Sequence, residues 1–153
     1  MPRLTHLFPA VLIALCTLAA PTFAAGTEDG SSTTASVATY EDAKALIAQA
    51  KYTEARDILK GVTAAEPRNA DAWNLLGFSS RKSGDLKAAG KAYAKALKIN
   101  PGHLGALEYQ GEMFIQLGEA DKAKANLATL QSLCGTCEEM QDLQQALAAA
   151  GIS

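Results

Sequence analysis

The sequence predicts an all-α solenoid of helical hairpins: three repeats closed by a C-terminal capping helix. Three observations carry this reading. Small residues recur in register, with Ala43, Gly77 and Gly111 on one series and Ala55, Ala89 and Ala123 on the other, at an interval of about 34 residues. Large apolar residues accompany them, among them Leu59, Trp73, Leu76, Tyr93, Leu97, Leu107, Phe114 and Leu127. Pro67 and Pro101 end the first two units, and no insertion or deletion disturbs the register. Two short helices pack closely only where small side chains stand at their crossing, so the spacing has a steric purpose.

The middle unit, 70–103, is the clearest. It opens Ala70-Asp71-Ala72-Trp73-Asn74-Leu75-Leu76-Gly77 and continues to Ala89, Tyr93, Ala96 and Pro101. That order of aromatic, Leu-Gly, Ala, aromatic, Ala and closing Pro resembles a tetratricopeptide repeat. Ser80 departs from the pattern, which more often has Tyr there, and a slightly looser seam is expected. The first unit, 36–69, has a well-matched second helix over Thr53–Ala65. Its first helix is weak, with Thr39 in place of Trp and Asp42 in place of Leu, as suits the polar end of a solenoid. The third unit, 104–137, carries Leu107, Gly111, Phe114, Gly118, Ala123 and Leu127, and has Gly135 where a proline would stand. Residues 137–150 place Met140, Leu143 and Leu147 at helical spacing and read as the capping helix. The resemblance covers 36–150.

Composition sets bounds on the partners. The 153 residues are 48% apolar and 20% charged, enough for one modest helical domain. Aromatics are 6% and the net charge is −2, which argues against nucleic acid and anionic membrane as main partners.

Residues 1–24 read as a secretory signal peptide. Arg3 supplies a positive start, Leu7–Ala20 an apolar run, and Thr22-Phe23-Ala24 small residues at the two positions a signal peptidase inspects. The run is shorter than the roughly 20 apolar residues of a membrane span. An uncleaved anchor is one alternative; lipidation of Cys16 is the other, and Leu15 occupies the place where a small residue belongs. Cleavage and export are expected, to the periplasm in a Gram-negative bacterium, with no membrane attachment afterwards. Residues 25–35 are small and polar and read as a disordered linker.

In tetratricopeptide proteins the first helix of each unit lines a concave groove. By register, the resemblance implies groove positions at Val37, Tyr40, Lys44 and Ile47, then Asp71, Asn74, Phe78 and Arg81, then Gly105, Glu108, Glu112 and Ile115. Apolar anchors with polar neighbours suit an extended peptide or a partner helix. Helical periodicity does not separate groove from core, so Phe78 and Ile115 read equally well as packing residues. The carboxylate clamp of chaperone-binding members is not matched: only Lys44 and Asn74 are of the right type, at the wrong positions.

Cys134-Gly135-Thr136-Cys137 is the one constellation with chemistry of its own. Cys16 leaves with the signal, so the exported domain holds one pair, and a disulfide is the default in an oxidising compartment. Gly135 is placed to end a helix, and Thr136 with Glu139 spells a capping box for the next. A thiol–disulfide exchanger is the sharper alternative. Against it, Cys134 falls at a helix C-terminus and Cys137 is followed by Glu138 and Glu139, all of which oppose a thiolate. Covalent haem would need His where Glu138 stands, and zinc would need four ligands where His103 is the single mature histidine. Cu(I) held by the two thiolates and Met140 is a further alternative.

No phosphate loop, nucleophile elbow or zinc-protease motif is present in the sequence. The expected activity is non-catalytic: a scaffold or accessory factor that docks a protein or peptide in the groove, with no cofactor. The alternatives are a redox or copper-handling module at Cys134 and Cys137, or a structural protein that self-associates weakly through its first unit.

Overall fold

The computed structural model of the chain describes residues 38–153. The segments read as a signal peptide and a linker, 1–24 and 25–35, and the expected positions Ser36 and Val37 lie outside the described residues. Among the described residues seven α-helices follow in order: α1 Tyr40–Ala48, α2 Tyr52–Ala65, α3 Ala70–Lys82, α4 Leu86–Ile99, α5 Leu104–Gln116, α6 Ala120–Cys134 and α7 Glu138–Ala149.

The helix starts are set by side chains that accept the first free backbone N–H groups. Asn69, Asp85 and His103 cap α3, α4 and α5 by accepting from the N–H groups of Ala72, Ala88 and Ala106. Thr39 and Asp42, degenerate positions in the repeat pattern, form a capping box on α1 in which each side chain accepts from the other's backbone. The polar residues of the first unit therefore start its helix. The box expected at Thr136 and Glu139 is not formed. Cys137 is the residue before α7 and offers no side-chain cap, and the Thr136 carbonyl accepts instead from Gln141. Starting α7 at Glu138 puts Glu139 in its second position, one residue short of where the box needs it.

The turns inside the three hairpins repeat one backbone conformation. Gly84 and Gly118 have φ of 87° and 74°, and Ala50 takes the equivalent place in the first unit at 57°.

α1, α3 and α5 each pair with the next helix in an antiparallel hairpin, and α1, α3, α5 and α7 also touch in succession. Those four form an inner layer, and α2, α4 and α6 form an outer one. Ala43, Ala55, Ala89 and Ala123 are fully buried, as small residues at crossings should be. A Cβ on Gly77 would lie 2.5 Å from the ring of Tyr93, and one on Gly111 would lie 2.6 Å from a methyl of Leu143. Glycine at both places is a steric requirement.

Candidate functional site

Side chains of α3 and α5, joined by Tyr52 from the start of α2, form a polar and aromatic cluster. Asn69 starts α3 and Gly84 lies just past its end, so Asn74, Phe78 and Arg81 follow one another along the helix face turned to α5. Gly105 permits the approach of the two helices, since a Cβ there would sit 3.2 Å from the Asn74 amide nitrogen. Across the helix starts, Asp71 Oδ1 lies 3.0 Å from His103 Nε2.

Phe78 is the middle of an aromatic row. Tyr52 meets it edge-on with ring centroids 5.9 Å apart, and Tyr109 lies tilted against it at 4.8 Å. Two cations sit over this row. The Arg81 guanidinium is 5.7 Å from the Phe78 ring and 5.9 Å from that of Tyr109, while Lys82 Nζ is 5.8 Å and 5.7 Å from Tyr52 and Phe78. Arg81 is buried, only 7% exposed, and forms an ion pair with Glu112. A guanidinium held between two rings and a carboxylate has little freedom, so the row is fixed in place.

Toward α7 the surface turns acidic. Glu108 is 6% exposed, and burial pushes its carboxyl up to about 8, helped by the charges of Glu112, Asp142 and Glu139 and opposed by Arg81. Burial likewise raises the Tyr109 phenol to about 12, with Glu108 and Glu112 adding to the shift. Glu108 holds its proton at neutral pH and Glu112 is paired with Arg81, so Glu139 and Asp142 supply the unpaired negative charge at this end.

The expected groove positions divide. Asn74, Phe78, Arg81, Glu108 and Glu112 come together, with Asp71 at their edge. Lys44 is exposed and ion-paired with Glu41 at 3.0 Å. Tyr40 and Ile47 pack against the N-terminal core, and Ile115 packs against the C-terminal one. The last two therefore serve the cores: each is drawn into the gap between its own hairpin and the next. Tyr52, Lys82 and Tyr109 belong to the cluster and were not among the expected positions. Lys82 lies one helical turn beyond Phe78 on α3, whereas only the tertiary fold brings Tyr52, at the start of α2, beside it.

Cys134 and Cys137 lie away from this cluster, at the α6–α7 corner, with sulfurs 2.05 Å apart and Cα atoms 5.6 Å apart. Gly135 between them has φ of 71°. Met140, the third ligand of the copper alternative, is buried in the C-terminal core with Leu143 and Leu147. Among the described residues no helix is long and apolar enough to cross a membrane.

An inner layer of first helices backed by an outer layer of second helices is the architecture of a helical-hairpin solenoid. Residues 40–103 match the tetratricopeptide repeat family, and the helices take the all-α hairpin solenoid fold of that repeat. Solved structures share the fold. The Yersinia enterocolitica type III secretion chaperone SycD, in complex with a peptide of the translocator YopD, is 18% identical with a TM-score of 0.65, over 73% of this chain and 88% of that one. The first repeat domain of Spaghetti (RPAP3), bound to the HSP90 peptide SRMEEVD, is 21% identical with a TM-score of 0.62, over 71% of this chain and 89% of that one. MamA of Desulfovibrio magneticus RS-1 is 24% identical with a TM-score of 0.59, over 61% of this chain, which spans 53% of that chain's length. No curated protein matches in sequence.

Proposed function

We propose that this protein is a non-catalytic scaffold that docks an extended peptide or a partner helix along its inner layer, as an accessory factor outside the cytoplasm. The observation that carries the reading is the aromatic row Tyr52–Phe78–Tyr109, held by Arg81 and flanked by Glu108, Glu112, Glu139 and Asp142. Aromatic side chains fixed beforehand bind with less ordering cost than mobile ones. The Glu139 and Asp142 carboxylates beside the row select a segment with apolar residues followed by Lys or Arg. SycD and Spaghetti are described in complex with peptides, which supports peptide docking on this fold. Their low identity leaves the ligand's chemistry to be read from this chain's own residues.

Panning a random peptide library on the full chain tests the reading. The peptides recovered should combine apolar and basic residues. The double variant Phe78→Ala, Tyr109→Ala should lower their affinity about tenfold or more with helical content unchanged. Equal affinity for the variant, or no basic bias, would refute the groove assignment.

Export rests on residues 1–24. Protein recovered from the periplasm should begin at Ala25 by N-terminal sequencing, and a chain recovered with Met1 would contradict it. In that setting Cys134 and Cys137 form a structural disulfide that fixes the α6–α7 corner. Thiol labelling of the recovered protein should fail until a reductant is added, and immediate labelling would dismiss the bond.

A further inference from the structure

The repeat register exposes a vacancy on the opposite side of the molecule. Leu46, Ser80 and Phe114 occupy equivalent places in the three units. Phe114 packs against two cores, and Leu46 is half-buried. The middle unit puts only a hydroxymethyl there, and a pocket of about 350 Å³ opens between α2, α3 and α4 with Ser80 on its wall. That volume is in the range of small-molecule sites, about 300–1,000 Å³.

Its chemistry is specific. Trp73, Leu76 and Ala92 supply an apolar floor, and Arg56, Lys60 and Lys91 stand around it. Lys95 adds a fourth cation, with Nζ 5.9 Å from the Trp73 ring centroid. The one carboxylate in the lining, Asp85, is engaged in capping α4. Two buried polar atoms at the pocket have no hydrogen-bond partner: the hydroxyl of Ser80, a residue 1% exposed, and Nε of Arg56. Both atoms are enclosed and give the pocket a polar wall behind its apolar floor. Asp57 offers Arg56 a charge at 3.6 Å, beyond hydrogen-bond reach, and gives its close contact to Lys60.

We infer that this pocket binds a small aromatic carboxylate, with its ring on Trp73 in the space that Leu46 and Phe114 fill elsewhere. Its carboxylate meets Arg56, Lys60 and Lys91. The site is separate from the inner-layer row and does not depend on it.

Trp73 is the sole tryptophan of the chain, so its fluorescence reports on this pocket alone. Titrating the full chain with phenylacetate should give a saturable change with Kd near 1 mM or below, as suits a ligand of about ten heavy atoms. Phenylacetamide should bind about fivefold more weakly, and the double variant Arg56→Gln, Lys60→Gln should lose that preference. Ser80→Phe, which copies the third unit, should lower phenylacetate affinity about tenfold or more while circular dichroism stays that of the wild type. Should Ser80→Phe fail to fold, Ser80→Leu copies the first unit and carries the same expectation. No saturation by 10 times the expected Kd would overturn the inference. So would equal binding of the amide, or undiminished binding to the filled variant.

Discussion

The second and third repeats place glycine at the same point of the first helix and fill the space beside it from different directions. Gly77 faces Tyr93, which comes from α4 of its own hairpin and is fully buried. Gly111 faces Leu143, which comes from α7, outside the repeat. The register residue that matches Tyr93 in the third unit is Leu127, which is half-buried and packs against the C-terminal core beside Leu143. The pattern thus fixes the small residue, and the neighbourhood chooses the filler. A unit with an internal filler is self-contained; one filled from outside depends on its cap.

That dependence gives the largest expected effect. Leu143→Ala should destabilise the protein by about 3 kcal/mol, as buried Leu→Ala changes do. Hydrogen exchange should accelerate first in α5, α6 and α7, with α1–α4 remaining protected. Uniform acceleration would mean the third unit is no more dependent on α7 than the second.

The two glycines sharpen the same contrast. Gly77→Ala drives a methyl into a fully buried ring, and a cost of about 1–2 kcal/mol is expected after the gain in helix propensity. Gly111→Ala meets the methyl ends of Leu143, which can turn aside, so its cost should be smaller by about 1 kcal/mol in chemical denaturation. Equal costs would contradict the difference between a rigid and a flexible filler.

A smaller effect sits in the hairpin turns. Ala50 holds the left-handed conformation that Gly84 and Gly118 adopt freely. Ala50→Gly should stabilise the chain by about 1 kcal/mol, read as a higher thermal midpoint. A lowered midpoint would show that the unfolded chain's added freedom outweighs the strain.

Glu108 gives the last contrast, between the acidic end of the inner layer and the cationic outer pocket. Its folded carboxyl, raised to about 8 mainly by burial, binds a proton more tightly than the unfolded one near 4.3. The folded state therefore holds the extra proton between those values. Glu108's contribution is full below the unfolded pKa and is lost as pH rises through the folded one. Denaturation midpoints should fall between pH 5 and pH 8 in the wild type, and Glu108→Gln should flatten that fall. An unchanged slope in the variant would place the titration elsewhere.

What could be read in the sequence followed from local sterics. Gly77, Ala89, Gly111 and Ala123 had to be small wherever rods crossed, and their spacing alone revealed the hairpins. Phe78 with Arg81 on α3, and Glu108 with Glu112 on α5, could be placed because each pair shares one face of its own helix and the repeat register matches the two faces. Tyr52 and Tyr109 could not, since their contact with Phe78 exists only once three units have stacked. Capping misled in both directions: Thr39 and Asp42 resembled decayed core positions and form the box, whereas Thr136 and Glu139 spelled a box and form none. Helix starts depend on where the preceding turn releases the chain, and Gly135 with its two cysteines delays α7 by one residue. Ser80 looked like a minor blemish. Its consequence, a pocket, required knowing that no neighbouring side chain moves in to fill it.

The crossing of α5 with α7 offers the most direct test, through a double-mutant cycle of Gly111→Ala with Leu143→Ala. If Leu143 is what occupies the space beside Gly111, the methyl added at 111 fits once Leu143 is cut back. The combined cost should then fall below the sum of the single costs by about 1 kcal/mol or more, while Gly77→Ala paired with Leu143→Ala should add simply. Additivity at Gly111 to within about 0.3 kcal/mol would mean the two residues do not share that space, and the stacked inner layer described here would not stand.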